Sequence, residues 1–389
     1  NGIRIPLAES KFKIAPAEST LLCIEGGSAG RKIGFINQDV CFVNKLCSFH
    51  SDHLSNLYLF YYLQSRTFID LFNSNKSGLI GGVSLNLLKS IFIPVAPAIE
   101  QDLISKTIAT YLEKITTLNK DKETLELTIK KAKSKILDLA IHGKLVSQDA
   151  NDEPASVLLE KLRAEKEDKI AKGELKRDKN DSYIYKGSDN CYYQRFADGR
   201  EEDISDEIPF EVPSNWTWTR IGAISNKITD GEHNTPKRVS TFQGFYLLSA
   251  RNIQNGYISL NDVDYVDKDE FLRIHKRCNP QKGDVLISCS GSVGRCTVIE
   301  DNNKYVMVRS AAMISSTVIN TKYLMYVIQS QELQNQIEDS SKQTAQANLF
   351  QAAIADLLIP LPPSNEQKRI INKIEELYIK LELIMQNID

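Results

Sequence analysis

The chain says nearly the same thing twice. Residues 14–36, IAPAESTLLCIEGGSAGRKIGFI, align with residues 278–299, CNPQKGDVLISCSGSVGRCTVI, placing Pro16 on Pro280, Gly27 on Gly291, Gly30 on Gly294 and Arg31 on Arg295. Residues 84–108, SLNLLKSIFIPVAPAIEQDLISKTI, align in turn with residues 350–374, FQAAIADLLIPLPPSNEQKRIINKI, with Pro94 on Pro360 and the Glu-Gln pairs in step. The offset drifts by about two residues between the blocks, so one module of roughly a hundred positions occurs twice and any fold must be built from two like units.

Each module reads as mixed α/β. TLLCI and DVLIS are short β-prone runs stopped by glycine, and IFIPVAP and LLIPLPP are apolar strands ended by prolines that cannot extend a ladder. A helix follows each proline block. In the first, Ile104, Ile108, Tyr111, Ile115, Leu118, Leu125, Ile129, Ala132, Ile136 and Leu139 recur at three- and four-residue steps, broken by Lys122. The second carries Ile370, Ile374, Leu377, Leu381, Ile384 and Ile388 in the same register. A helix from about Ile99 to Ile141 would be on the order of 60 Å long at 1.5 Å per residue, so it must leave its module. Two such seams predict an antiparallel helix pair, and the expected class is α+β: two repeated mixed modules separated by a long two-helix coiled coil.

Composition narrows the function classes. With 389 residues, 42% hydrophobic and 25% charged, the chain is long enough for two or three globular domains. Runs such as LYLFYYL (57–63) are far shorter than the roughly 20 residues of a bilayer span, and no basic-then-apolar leader opens the sequence, so a cytoplasmic location is expected. Seven cysteines without a C-x-x-C pair fit reduced, scattered thiols and no metal site. The net charge of −2 decides nothing about nucleic acid, because a binding face needs only local clusters of Lys and Arg. GGSAGRK has the wrong spacing for a phosphate-cradling P-loop, and no G-x-G-x-x-G, H-E-x-x-H or G-x-S-x-G signature is present. Asn279-Pro280 lacks the following aromatic that would stack a flipped base. Evidence for catalysis is weak throughout.

The chain resembles the specificity subunit of a Type I restriction-modification system. The resemblance is carried by the repeated strand-GS-x-GR block, the repeated IP-x-x-P-x-x-EQ-x-x-I block entering a helix, AIHGKLVSQDANDEPASVLLEKLRAEK after the first helix, and VPSNWTWTRIGAI with ITDGEHNTP opening the second module. It implies a non-catalytic subunit in which two target-recognition domains read the halves of a split double-stranded DNA target. The paired helices would set the spacing and dock two modification (methyltransferase) subunits, to which restriction subunits add. It implies no cofactor on this chain, with S-adenosylmethionine, ATP and Mg belonging to the partners, and no membrane. The implied organisation is residues 1–98 as the later part of the first target-recognition domain, 99–143 as the central helix, 144–206 as a linker with a short helix, 207–363 as the second target-recognition domain, and 364–389 as the distal helix. Counterparts of Trp216, Trp218 and DGEHNTP would fall before residue 1, so the first module is expected to lack about its opening fifty residues.

Under this resemblance the polar run TDGEHNTPKR offers His233, Asn234, Thr235, Lys237 and Arg238 for base and phosphate contact. Arg251 and Asn252 in ARN, and Gln343 in SSKQTAQAN, are further donors. Ser28 and Arg31, with Ser292 and Arg295, are candidates in the repeated loop, either as a close backbone approach to DNA or as a plain structural hairpin. Helix pairing is expected through Ile104, Ile108, Ile115, Leu118, Leu125, Ile129, Ile370, Ile374, Leu377 and Leu381. The competing readings are a self-contained methyltransferase or nuclease, and a coiled-coil scaffold that binds no DNA.

Overall fold

The structure is a computed structural model that describes residues 12–77, 81–173, 181–342 and 347–387. The chain divides into two compact units, residues 1–124 and 125–389.

Unit one opens with strands β1 (Lys13–Ala15), β2 (Thr20–Cys23), β3 (Ile33–Phe35), β4 (Val40–Phe42) and β5 (Leu46–Phe49). These form an antiparallel sheet in the order β3-β2-β5 and a separate β1-β4 pair. Three short helices follow, α1 (Asn56–Tyr62), α2 (Arg66–Ser74) and α3 (Leu85–Lys89). Each starts where the sequence places a serine: the hydroxyls of Ser55, Ser65 and Ser84 accept the N–H three residues on, satisfying one donor that a helix start leaves unpaired. Their apolar faces meet the sheet around Leu22, Leu59, Leu63, Phe68 and Phe72. Helix α4 (Ala98–Ile141) begins in this unit and ends in the next.

Unit two contains α5 (Ala155–Ala171), a meander β6 (Ser182–Lys186), β7 (Tyr192–Phe196) and β8 (Glu201–Asp203), then β9 (Thr217–Arg220), α6 (Ile221–Ile224) and β10 (Lys227–Asp230). It continues through β11 (Phe245–Leu248), β12 (Ile253–Gln254), β13 (Tyr257–Ile258), β14 (Asp264–Tyr265), α7 (Lys268–His275), β15 (Val285–Ser288), β16 (Cys296–Val298), β17 (Lys304–Met307) and β18 (Ala311–Ser315). Helices α8 (Thr321–Gln329), α9 (Gln331–Ser341) and α10 (Gln351–Asp356), strand β19 (Leu358–Leu361) and helix α11 (Ser364–Gln386) close it. The repeat is visible in the topology. The order β16-β15-β18 matches β3-β2-β5, and three short helices again lead through a proline segment into a long one. Strand β10 joins the edge of the second sheet and has no counterpart among the described residues of unit one.

The end of α4 and α11 run antiparallel, as the seams predict. The Lys133 ammonium lies 3.2 Å from Glu382, and the Tyr378 hydroxyl donates to the Lys133 carbonyl. Farther along α4, Leu137 and Ile141 share a buried cluster with Ile370 and Ile374, and the following loop reaches the start of α11, where Gln148 donates to Glu366. Ile129 is buried and Leu125, Leu377 and Leu381 are half-buried. The seam is covered for only part of its length. Ile108 is half-buried, but Ile104, Ile115 and Leu118, which belong to unit one, are exposed. Ile388 lies outside the described residues. The sequence also gives no strand between the two helical segments and the second module, whereas β6–β8 form a sheet there, its Ile184 and Tyr192 packed on Trp218.

The Glu of the second Glu-Gln pair is fully buried. Its Oε2 accepts the Trp216 indole N–H at 2.9 Å and its Oε1 the Gln148 amide at 2.6 Å. Burial pushes the Glu366 carboxyl above its ordinary 4.5, against those two hydrogen bonds. A raised folded value means that the contribution of this group to stability is present at low pH and is lost as pH rises through that value. Glu366→Gln should therefore gain stability relative to wild type as pH increases from below 4.5 to neutrality, measured by urea unfolding. Glu366→Ala should cost about 1–3 kcal/mol at every pH, because it leaves the indole N–H buried and unpaired.

Candidate nucleic-acid interface

Antiparallel pairing sends alternate strand ends to the same side, and four polar loops of unit two share one. Strand β10 ends at Asp230, opposite Ala312 of β18, while β15 ends at Ser288 opposite Ala311 and turns into β16 at Cys296. Residues 231–238, 289–295 and 308–310 therefore leave one edge. The parallel pair β11 and β17 adds residues 249–252 at the same place. Backbone bonds knit the loops together. Glu232 donates to the Met307 carbonyl, Arg309 to that of Glu232, and Cys289 to that of Ser310, while Ala250 N–H donates to the Ser310 hydroxyl. Gly231 lies so close to Met307 that an added Cβ would overlap its carbonyl, which explains the glycine in TDGEH.

The repeated GS-x-GR loop folds as a hairpin in both units. Gly30 and Gly294 have φ of +77° and +86°, which strains any larger residue, and each sits against a helix side chain, the Phe72 ring or the Gln334 amide, that an added Cβ would displace. The arginines differ. Arg31 is exposed and its guanidinium turns back to the Gly27 carbonyl, with Ser28 half-buried beside it. Arg295 is half-buried: its backbone N–H is held by the Ser288 hydroxyl and its Nη1 donates to Gln254 at 2.8 Å. Ser292 is exposed, and its carbonyl accepts from Ser288.

Carboxylates thread through this end. Asp230 receives Arg277 at 2.6 Å and His233 Nε2 lies 2.7 Å from it; burial pushes its carboxyl up, and these two hydrogen bonds outweigh that and hold it below its ordinary value. Arg273 bridges Glu270 and Glu232 at 2.8 and 3.0 Å. That pairing, helped by the Lys237 backbone N–H, drives the Glu270 carboxyl down to about 2 despite burial. Arg238 and Arg251 share Asp264 at 2.9 and 3.2 Å, and Arg251 also meets Asp262.

His233, Asn234, Thr235, Lys237, Arg238 and Arg251 are thus brought to one exposed surface. Asn252 is not on it. It is fully buried, its Oδ1 accepts from the Ser249 backbone and hydroxyl, and its amide donates to the Ser259 carbonyl, so it shapes the 249–252 turn and has no face left for a ligand. Gln343 lies outside the described residues. Ser28 and Arg31 stand at the corresponding loop of unit one. Sequence reasoning missed Arg309, which is exposed on the 308–310 turn; a basic residue directly after the β17 run was the available signal. Among the described residues the Lys237 and Arg309 side chains form no ion pair, and no group of His, Cys, Asp and Glu could hold a metal. Burial pushes the Cys278, Cys289 and Cys296 thiols up to about 12, which keeps them protonated and inert. No described helix is long and apolar enough to cross a membrane.

The sequence profile of the Type I restriction modification DNA specificity domain matches residues 1–127 and 202–389. The chain is 29% identical over 268 residues to the Type I restriction enzyme EcoAI specificity subunit of Escherichia coli, a match covering 65% of this chain and 40% of that protein. It is 28% identical over 270 residues to the EcoEI specificity subunit of Escherichia coli, covering 66% and 41%. The chain thus spans about two-fifths of the length of these relatives. A solved structure described as "Structural basis underlying complex assembly and conformational transition of the type I R-M system" matches with a TM-score of 0.58 at 13% identity, covering 97% of this chain and 79% of that one, a likeness of fold.

Gly231→Ala should destabilise unit two by about 1–3 kcal/mol, the range for overpacking, since backbone atoms are what its Cβ would strike. Gly244, whose Cβ would meet nothing within 4 Å, is the control, although its φ of +92° adds a strain of its own. A midpoint of urea unfolding unchanged in Gly231→Ala would mean that the Glu232–Met307 bridge is looser than described.

Proposed function

Because the chain belongs to the Type I restriction modification DNA specificity family, we propose that it is a DNA-recognition and assembly subunit that carries no catalytic residue and no cofactor of its own. Unit two presents its loop end, residues 231–238, 249–252, 289–295 and 308–310, to double-stranded DNA. The long helix joins it to a like unit that takes the other half of a split target. Two modification subunits dock on this framework and restriction subunits join them, bringing S-adenosylmethionine, ATP and Mg to the complex, which works in the cytoplasm.

The observation that carries this reading is the convergence of four separate loops, rich in amide, hydroxyl and cationic side chains, at one end of two sheets. Loops held by a rigid scaffold are where contacts to bases and phosphates are built. A self-contained methyltransferase or nuclease is disfavoured by the relatives, which are specificity subunits.

Within the loop end, Lys237 and Arg309 suit phosphate, and Arg238 and Arg251, engaged by carboxylates, suit positioning. Lys237→Ala and Arg309→Ala should each weaken binding of the assembled complex to cognate and scrambled duplexes alike, and each should lower the magnitude of the salt slope by about one, for one counterion fewer released. Titrations at several salt concentrations read this. A loss confined to one duplex sequence, with the slope unchanged, would reassign that residue to base reading; unchanged binding in both variants would remove this surface from the interface.

A further inference from the structure

Each unit ties its hairpin loop to its third short helix in the same way. In unit one an antiparallel bridge joins Glu25 to Gly82, and the Val83 N–H donates to the Ile24 carbonyl at 3.0 Å. In unit two the bridge joins Ser290 to Asn348, and the Leu349 N–H donates to the Cys289 carbonyl at 2.9 Å. The next residue differs. Ser84 caps α3 with its hydroxyl, which accepts the Leu87 N–H. Its counterpart ahead of α10 is Phe350, which makes no side-chain cap bond and leaves its ring 59% exposed.

Serine is among the favoured residues at a helix start and apolar ones are among the worst, while a ring left in water gains little from burial. Unit two thus gives up a stabilising cap for an exposed phenyl. The phenyl is also firmly seated. Leu349 before it is buried in the main core of unit two, and the Gln351 amide after it donates to the Asp230 carboxylate. The ends of β15 and β10 therefore pin the backbone on either side of residue 350, beside the 289–295 and 231–238 loops. We infer that Phe350 is a base-reading residue of this loop end, its ring packing on the 5-methyl group of a thymine in the major groove. The inference rests on the proposed DNA interface and adds an apolar contact to it. The base edges in the major groove carry one apolar feature, the thymine methyl, and those in the minor groove carry none. A ring fixed among amides, hydroxyls and cations finds there its single complement. With Ser84 at the matching position, unit one offers no such contact, so the preference belongs to the half-target taken by unit two.

The test uses the full chain assembled with its modification subunits, and a duplex selected by that complex from a random pool. Each thymine in turn is replaced by deoxyuridine, which keeps every hydrogen-bonding group and lacks only the methyl. Wild type should lose about fourfold in affinity at one position, the factor that corresponds to about 0.8 kcal/mol for one buried carbon group. Phe350→Ala should lose a similar factor on the unmodified duplex and be indifferent to deoxyuridine at that position. Phe350→Ser should bind as Phe350→Ala does while raising the midpoint of urea unfolding, because it restores the cap that Ser84 makes. A lowered midpoint would make the ring a packing group and overturns the inference. So does the absence of any thymine whose methyl matters, or a deoxyuridine effect undiminished in Phe350→Ala. A rise in 2-aminopurine fluorescence that needs Phe350, with no deoxyuridine effect, would make the ring a wedge between base pairs and overturns it too. Lys237→Ala separates this inference from the interface it rests on. If that variant weakens binding and Phe350→Ala does not, the inference alone fails; if neither changes binding, the loop end is not the interface.

Discussion

In each unit a single buried amide ties the start of the long helix to the proline segment before it and to a short helix beneath. Gln367 is in the first turn of α11, whose start at Pro363 has no side-chain cap. Its carbonyl oxygen takes the N–H of Asn320, the residue that caps α8, and its amide donates to Pro362 at the end of the strand segment. Helix, strand and the helix beneath them are thereby fixed to one planar group of a few atoms. Removing it would leave buried donors and acceptors facing one another unpaired, a larger penalty than the bonds themselves gain. Gln101 repeats the arrangement with Ser55 and Ala96, so two stretches with different neighbours are anchored by the same bonds.

The repeat, its order of strands and short helices, and the long helix were legible because they rest on local signals. Serine caps, prolines that stop ladders, glycines that need positive φ, and apolar residues at helical spacing all act within a few residues of themselves. The exposure of Ile115 and Leu118 was not legible, because helical spacing marks an apolar face and says nothing of whether another element covers it. The β6–β8 meander was missed for another reason. Tyr183 and Tyr185 of β6 alternate as a strand should, but the charged stretch before them masks the signal, and the packing of the sheet on Trp218 is visible only once β9 is in place.

At the candidate interface the polar loop residues were readable from composition, and their restraints were not. Asp264 reaches Arg238 through the pairing of β11 with β14, and Glu270 reaches Arg273 and the Lys237 backbone from α7. Asn252 illustrates the converse error. A polar residue in a loop invites a functional reading, yet Ser249 three residues earlier forms a reciprocal capping box with it, and that short-range pattern already accounts for its side chain.

The ion pairs at the loop end determine what kind of encounter that surface permits. Arg238, Arg251, Arg273 and Arg277 each already hold a carboxylate, so an approaching polyanion meets a mosaic of both signs and little long-range pull. A partner can gain an arginine only by competing with an internal anion for it, and the contest is won by geometry, not by charge alone. Such a surface resists indiscriminate adhesion: it discriminates by competition, holding loosely whatever is merely negative and lingering only on what fits.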